Sequence, residues 1–80
     1  MPIRAYVFVS TDPGKAKGVA GEISKIGGNS PRVLKVSAIT GRFDVLVEVE
    51  DSDVASLANI VLTKISQIPG VRRTETAFAV

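Results

Sequence analysis

Along residues 3–10 the chain alternates: Ile3, Ala5, Val7 and Val9 share one side of an extended backbone, and Arg4, Tyr6, Phe8 and Ser10 share the other. The run is β-branched, aromatic or alanine apart from Arg4 and Ser10 and stops at Thr11-Asp12-Pro13-Gly14, which predicts a strand. After it the period changes. Ala16, Val19, Ala20, Ile23 and Ile26 recur at helical spacing and predict a helix over about 13–26. Asp12 is its expected N-cap, Pro13 its first residue, and Gly27-Gly28-Asn29 its stop. Gly18 and Gly21 inside this helix each cost roughly 0.5–1 kcal/mol relative to alanine, which points to close backbone packing or to weak helicity.

Strand-like runs return at about 32–39 and 43–50, separated by Thr40-Gly41-Arg42, and predict a hairpin. Phe43, Val45, Val47 and Val49 are expected on one side of its second strand, with Leu46 opposite between Asp44 and Glu48. Asp51, Ser52 and Asp53 supply acceptors and negative charge for a second helix start, with Val54, Leu57, Ile60, Val61, Ile65 and Ile68 as its apolar stripe. That helix ends before Pro69-Gly70, and 71–80 reads as a last strand. The order βαββαβ predicts one α+β domain over residues 1–80, a ferredoxin-like plait. Its two helices would cover one face of a four-stranded antiparallel sheet. The other face would carry Tyr6, Phe8 and Leu46, and those apolar side chains predict a covering partner, most simply a second copy pairing as a homodimer.

Composition sharpens that expectation. A chain of 80 residues buries only about 60% of its unfolded surface, so it folds marginally unless disulfides, a metal or association help. Cysteine and histidine are both absent, which removes disulfides, thiolate or imidazole metal ligation, thiol catalysis and the commonest general base. Association is the remaining aid, and a 45% hydrophobic composition with mean hydropathy +0.27 fits more than one buried face. No run of about 18 apolar residues suggests a membrane span, and Met-Pro-Ile-Arg-Ala lacks a secretion-signal core, so a cytoplasmic protein is expected. The net charge of +2 and pI near 9.3 come from scattered residues and do not establish a nucleic-acid partner.

Candidate chemistry is sparse, and no catalytic residue, metal site or cofactor is expected. Asp51 and Asp53 open like a metal loop, but the further ligands do not follow, and helix capping accounts for them. Glu48 and Glu50 lie about 7 Å apart on one side of a strand, a spacing that suits either two cooperating carboxylates or a solvated strand end. Gly14-Lys15 lacks the glycine that a phosphate loop requires, and Gly14, Gly18 and Gly21 miss the dinucleotide spacing. Single-stranded RNA could stack on Tyr6 and Phe8, yet residues 41–48 offer one aromatic and two carboxylates where an RNA-binding plait wants several aromatics. The hairpin turn is the most specific feature. Thr40-Gly41-Arg42 would expose backbone N–H groups, and Asp44 adds a negative charge, a pair complementary to the carboxylate and ammonium of an α-amino acid. Equally, Gly41 could only make the turn and Asp44 only satisfy nearby backbone.

Residues 36–49, Val-Ser-Ala-Ile-Thr-Gly-Arg-Phe-Asp-Val-Leu-Val-Glu-Val, resemble the G-x-[YF]-D hairpin of the Lrp/AsnC effector-binding, or RAM, domain. Val71-Arg72-Arg73-Thr74-Glu75-Thr76 resembles its closing strand, and the likeness extends over essentially the whole chain. The resemblance implies face-to-face dimers that assemble into an octamer or decamer, and an amino acid or related small-molecule effector held between dimers. It maps effector binding onto Thr40, Gly41 and Asp44, with Thr74 and Thr76 lining or supporting the cleft and Phe43 at the aromatic position. Full-length regulators of that family carry a helix-turn-helix domain ahead of this module. Here the first strand comes first, so the expectation is a module that does not contact DNA directly and senses an effector alone or by co-assembly with full-length Lrp/AsnC regulators. Alternatives are an ACT-like amino-acid-binding regulatory domain, an RNA-binding plait, and a small dimeric plait enzyme such as a cofactor-free oxygenase or isomerase. Truncating Asp44 to alanine is expected to weaken ligand binding and leave the fold intact.

Overall fold

The computed structural model describes residues 2–26 and 32–80, apart from the side chains of residues 60 and 62. Strand β1 spans Ile3–Thr11, helix α1 Ala16–Ser24, strand β2 Arg32–Ala38, strand β3 Val45–Asp51, helix α2 Val54–Ile60 and strand β4 Val71–Phe78. The sheet order is β2-β3-β1-β4, with every neighbouring pair antiparallel. This is the expected ferredoxin-like plait.

The predicted alternation sets the core. Ala5, Val7 and Val9 of β1 and Val45, Val47 and Val49 of β3 are all fully buried, and they meet Val19 and Ile23 of α1 and Leu57 of α2. Cross-strand register pairs Ala5 with Val49, Val7 with Val47 and Val9 with Val45, so three valine-rich rungs form the floor beneath the helices. Each buried valine contributes about 1.5–3 kcal/mol by leaving water, which is why these rungs fix the register.

Both helices are shorter than their periodicity predicts. Asp12 does not cap α1: Pro13 and Gly14 form a turn, Gly14 takes φ +77°, and the helix starts only after Lys15, whose side chain caps nothing. A left-handed residue cannot belong to a right-handed helix, so the turn claims the residues that the spacing had assigned to the first helical turn. Asp12 instead faces Arg72 at 3.7 Å. The predicted stop at 27–29 and the Ile60 side chain lie outside the described residues. Asp53 does cap α2, its carboxylate accepting from the Ala55 N–H at 3.1 Å and the Ser56 hydroxyl at 3.2 Å. After α2 the backbone widens into a π-helical turn over Val61–Ile65, where the Ser66 N–H reaches the Val61 carbonyl, and this turn buries Val61 and Ile65.

The two helical glycines resolve toward weak helicity. A Cβ at Gly18 or Gly21 would meet nothing within 4 Å, so no close approach explains either. Gly70 is the reverse case. It takes φ +101°, and a Cβ there would lie 3.3 Å from both Lys15 Cβ and Val19 Cγ2, while its carbonyl accepts from the Asp12 N–H at 2.8 Å.

Candidate functional site

The β2–β3 hairpin turns through residues 39–44, a longer loop than Thr40-Gly41-Arg42 alone. The Ile39 N–H bonds the Asp44 carbonyl at 2.8 Å, and Gly41 at φ +120° makes the reversal that L-residues rarely adopt. Thr40 and Gly41 stand exposed at the tip.

Asp44 anchors this loop to β1. Its N–H donates to the Val9 carbonyl at 2.9 Å, and its Oδ2 accepts from the Thr11 N–H at 2.8 Å in a half-buried setting. Pairing between β1 and β4 shifts between Ser10 and Thr11, where the chain leaves the sheet, and the carboxylate takes up the Thr11 donor there. Asp44 is therefore a structural acceptor, and its truncation to alanine is expected to cost stability as well as any ligand contact. Oδ1 has no hydrogen-bond partner among the described residues, so the carboxylate is held in place with acceptor capacity to spare.

Thr74 pairs with Val9 and Thr76 with Val7, so both lie on the helix side of the edge strand β4. Thr74 is half-buried and Thr76 exposed. Val45 also pairs with Val9, so one rung runs from the base of the hairpin through β1 to Thr74, about two strand spacings or roughly 10 Å. Neither threonine hydrogen-bonds Thr40, Gly41 or Asp44 among the described residues. The chain thus presents Thr40, Gly41, Asp44 and Thr74 toward one end of the sheet, with Thr76 nearer its middle, without closing them around a ligand.

The opposite face carries Tyr6, Phe8 and Leu46, each half-buried, with Phe8 paired to Leu46 and Tyr6 to Glu48. Phe43 joins this face and corrects the expected placement beside Val45: its ring centroid is 5.4 Å from that of Phe8. The strand begins only at Val45, so period-two alternation does not extend back to Phe43. The Arg42 and Arg73 guanidinium carbons stand 5.9 and 5.7 Å from the Phe43 centroid, and Arg73 also faces Glu75 at 3.7 Å. Sequence reasoning missed this cluster. Its one signal was Asp44, a side chain suited to tying down a loop, which would have ended the strand before Phe43. Farther along the face Arg4 meets Glu50 at 3.6 Å, which places Glu50 in an ion pair and not in a carboxylate couple with Glu48. A hydrogen bond with Tyr6, and then the charge of Glu50, raise the pKa of the Arg4 guanidinium above its usual value.

Fold and site together define a small plait domain with one packed and one open sheet face and a hairpin pinned by Asp44 at its end. The chain belongs to the Lrp/AsnC ligand binding domain family, whose model matches residues 4–80. An uncharacterized HTH-type transcriptional regulator of Pyrococcus horikoshii is 32% identical over 76 residues, which cover 95% of this chain and 46% of the regulator. The chain thus spans about half the length of the curated relatives it matches. Among solved structures, a Thermus thermophilus protein superposes with TM-score 0.86 at 28% identity, covering 98% of this chain and 92% of that one. A Neisseria meningitidis transcriptional regulator in complex with L-Met superposes with TM-score 0.80 at 24% identity, covering 98% of this chain and 49% of the regulator, a likeness of fold. Among the described residues no helix is long and apolar enough to cross a membrane.

Proposed function

We propose that this domain senses an amino acid or a closely related small molecule and couples its binding to self-assembly. The observation that carries the reading is the hairpin: an exposed Gly41 turn beside an Asp44 carboxylate that is fixed by Thr11 and keeps Oδ1 for an incoming donor. Backbone N–H groups at Thr40 and Gly41 suit the effector's carboxylate, and Asp44 suits its ammonium. Thr74 and Thr76, in line on the edge strand, would complete the cleft when a neighbouring subunit closes it. The relative crystallised with L-Met supports this ligand class.

Assembly follows from the open face. Two copies laid sheet to sheet would bury Tyr6, Phe8, Leu46 and Phe43, take Glu48, the register partner of Tyr6, into the contact beside them, and leave Arg4, Glu50 and Glu75 nearer the rim. Further association into an octamer or decamer, or co-assembly with full-length regulators of the family, would bring the subunit that completes the cleft. Effector binding then favours whichever assembly holds it better.

Titration calorimetry with the amino acids tests the proposal, alongside native mass measurement with and without each. Saturable binding by at least one of them, reduced tenfold or more by Asp44→Asn, is the expected result. Indifference to all of them in a chain that stays monomeric would end the proposal. The Phe8–Phe43 pair flanked by Arg42 and Arg73 favours a second reading, stacking of single-stranded RNA, against which Glu48, Glu50 and Glu75 weigh. Retention on RNA with a steep salt dependence would favour it over the first.

A further inference from the structure

We propose that the groove between α1 and the Ile68-Pro69 segment is a second binding site, for a small apolar carboxylate, with Lys15 meeting the anion and Gly18 leaving room for the hydrocarbon. The cavity holds about 310 Å³, at the lower end of the range for small-molecule sites, and is lined by Lys15, Gly18, Val19, Glu22, Ile68 and Pro69. None of these residues belongs to the hairpin or to the open sheet face.

Three observations converge on it. Gly18 weakens α1, and nothing in the fold requires it: it is exposed, it has no left-handed φ, and no atom would obstruct a Cβ. Its place in the groove supplies a reason, because any larger side chain there would fill the space. The opposing wall is fixed in advance. Proline restricts residue 69, and Gly70 lies so close that an added Cβ would be 3.3 Å from Lys15 and Val19 atoms, so the segment is seated against α1 before any ligand arrives. The charge pattern then selects the head group. Glu22 faces Lys25 at 3.6 Å, whereas Lys15 has no ion pair among the described residues. The groove therefore presents one uncompensated cation above an apolar floor of Val19, Ile68 and Pro69.

The test is an amide NMR titration of the isotopically labelled chain with isocaproate, repeated with the neutral isocaproamide. Saturable shifts centred on Gly18, Val19 and Gly70 are expected, with the amide binding about fivefold more weakly, the worth of a solvent-accessible charge contact. Lys15→Gln lowers isocaproate affinity by a similar factor, about fivefold, and leaves isocaproamide unchanged. Gly18→Leu raises the melting temperature and abolishes binding, because leucine favours the helix but occupies the groove. Gly21→Leu, on the same helix but outside the groove, raises the melting temperature and preserves binding. Full affinity in Gly18→Leu, equal binding of acid and amide, or shifts centred on residues 40–44 would each overturn the proposal. So would shifts at Gly18 and Val19 that follow protein concentration without ligand, since a second copy would then be the occupant.

Discussion

Replacing Asp44 by alanine removes the acceptor on which the Thr11 N–H rests, and the structure sets the size of the loss. That bond is 2.8 Å long, its acceptor is charged, and Thr11 is only 7% exposed, so water cannot freely substitute. Removing the acceptor of a bond of this kind costs about 2 kcal/mol, the desolvation of the orphaned donor included. Asparagine keeps a carbonyl oxygen at the same reach and forfeits only the charge assistance, about half of the bond, or roughly 1 kcal/mol. In a domain of this size 1 kcal/mol moves the midpoint of thermal unfolding by about 4–8 °C, so Asp44→Ala is expected to melt roughly 8–16 °C below the native chain and Asp44→Asn about half as far. Circular-dichroism melts at one fixed protein concentration give the comparison, because association would otherwise stabilise each variant by mass action. A urea titration with an unchanged slope confirms that stability alone has moved. The backbone bonds from Asp44 to Val9 and Ile39 survive in both variants, so the hairpin register is retained. An alanine variant as stable as the native chain, or an asparagine variant that falls as far as alanine, would refute the assignment of Asp44 as the anchor. The outcome also decides which variant can report on ligand binding without confounding it with unfolding.

Gly70→Ala forces a left-handed φ on alanine and drives its Cβ to 3.3 Å from the Lys15 and Val19 side chains, so a destabilisation of about 2–4 kcal/mol is expected in chemical denaturation. Native-like stability would mean that the segment relaxes freely. Val7→Ala empties the centre of the sheet, between β3 and β4, at a fully buried position, and is expected to cost about 2 kcal/mol with no change in the ligand panel. Phe8→Lys puts a charge at the middle of the open face beside Phe43, and sedimentation is expected to show weakened self-association with the fold preserved by circular dichroism. Unaltered association would move the interface off this face.

Much of the architecture was legible because it depends on period. Alternation in β1 and β3 named the side that packs under the helices, and the valines of both strands lie there, fully buried. Helical spacing found α1 and α2, though not their ends. Asp12-Pro13-Gly14 carries both a helix-start and a turn signal, and the left-handed φ of Gly14 settles the choice for the turn. The candidate site was legible only in part. The hairpin stands where the spacing put it, with Gly41 at its reversal, but Asp44 belongs to the loop and not to the second strand, and the Phe8–Phe43 cluster and the groove beside Gly18 were invisible to the spacing.

Element order, the packed side of the sheet and the Gly41 hairpin were written in residues close together in sequence, and local sterics and hydrophobic period suffice to read such features. Tertiary structure alone decided which face Phe43 joins, what Asp44 holds, and why residue 70 must be glycine. Each of these turns on a contact between distant parts of the chain, such as the 33-residue separation of Thr11 and Asp44. No repeating pattern encodes such a contact, because its geometry exists only once the strands are paired and the helices are laid on them.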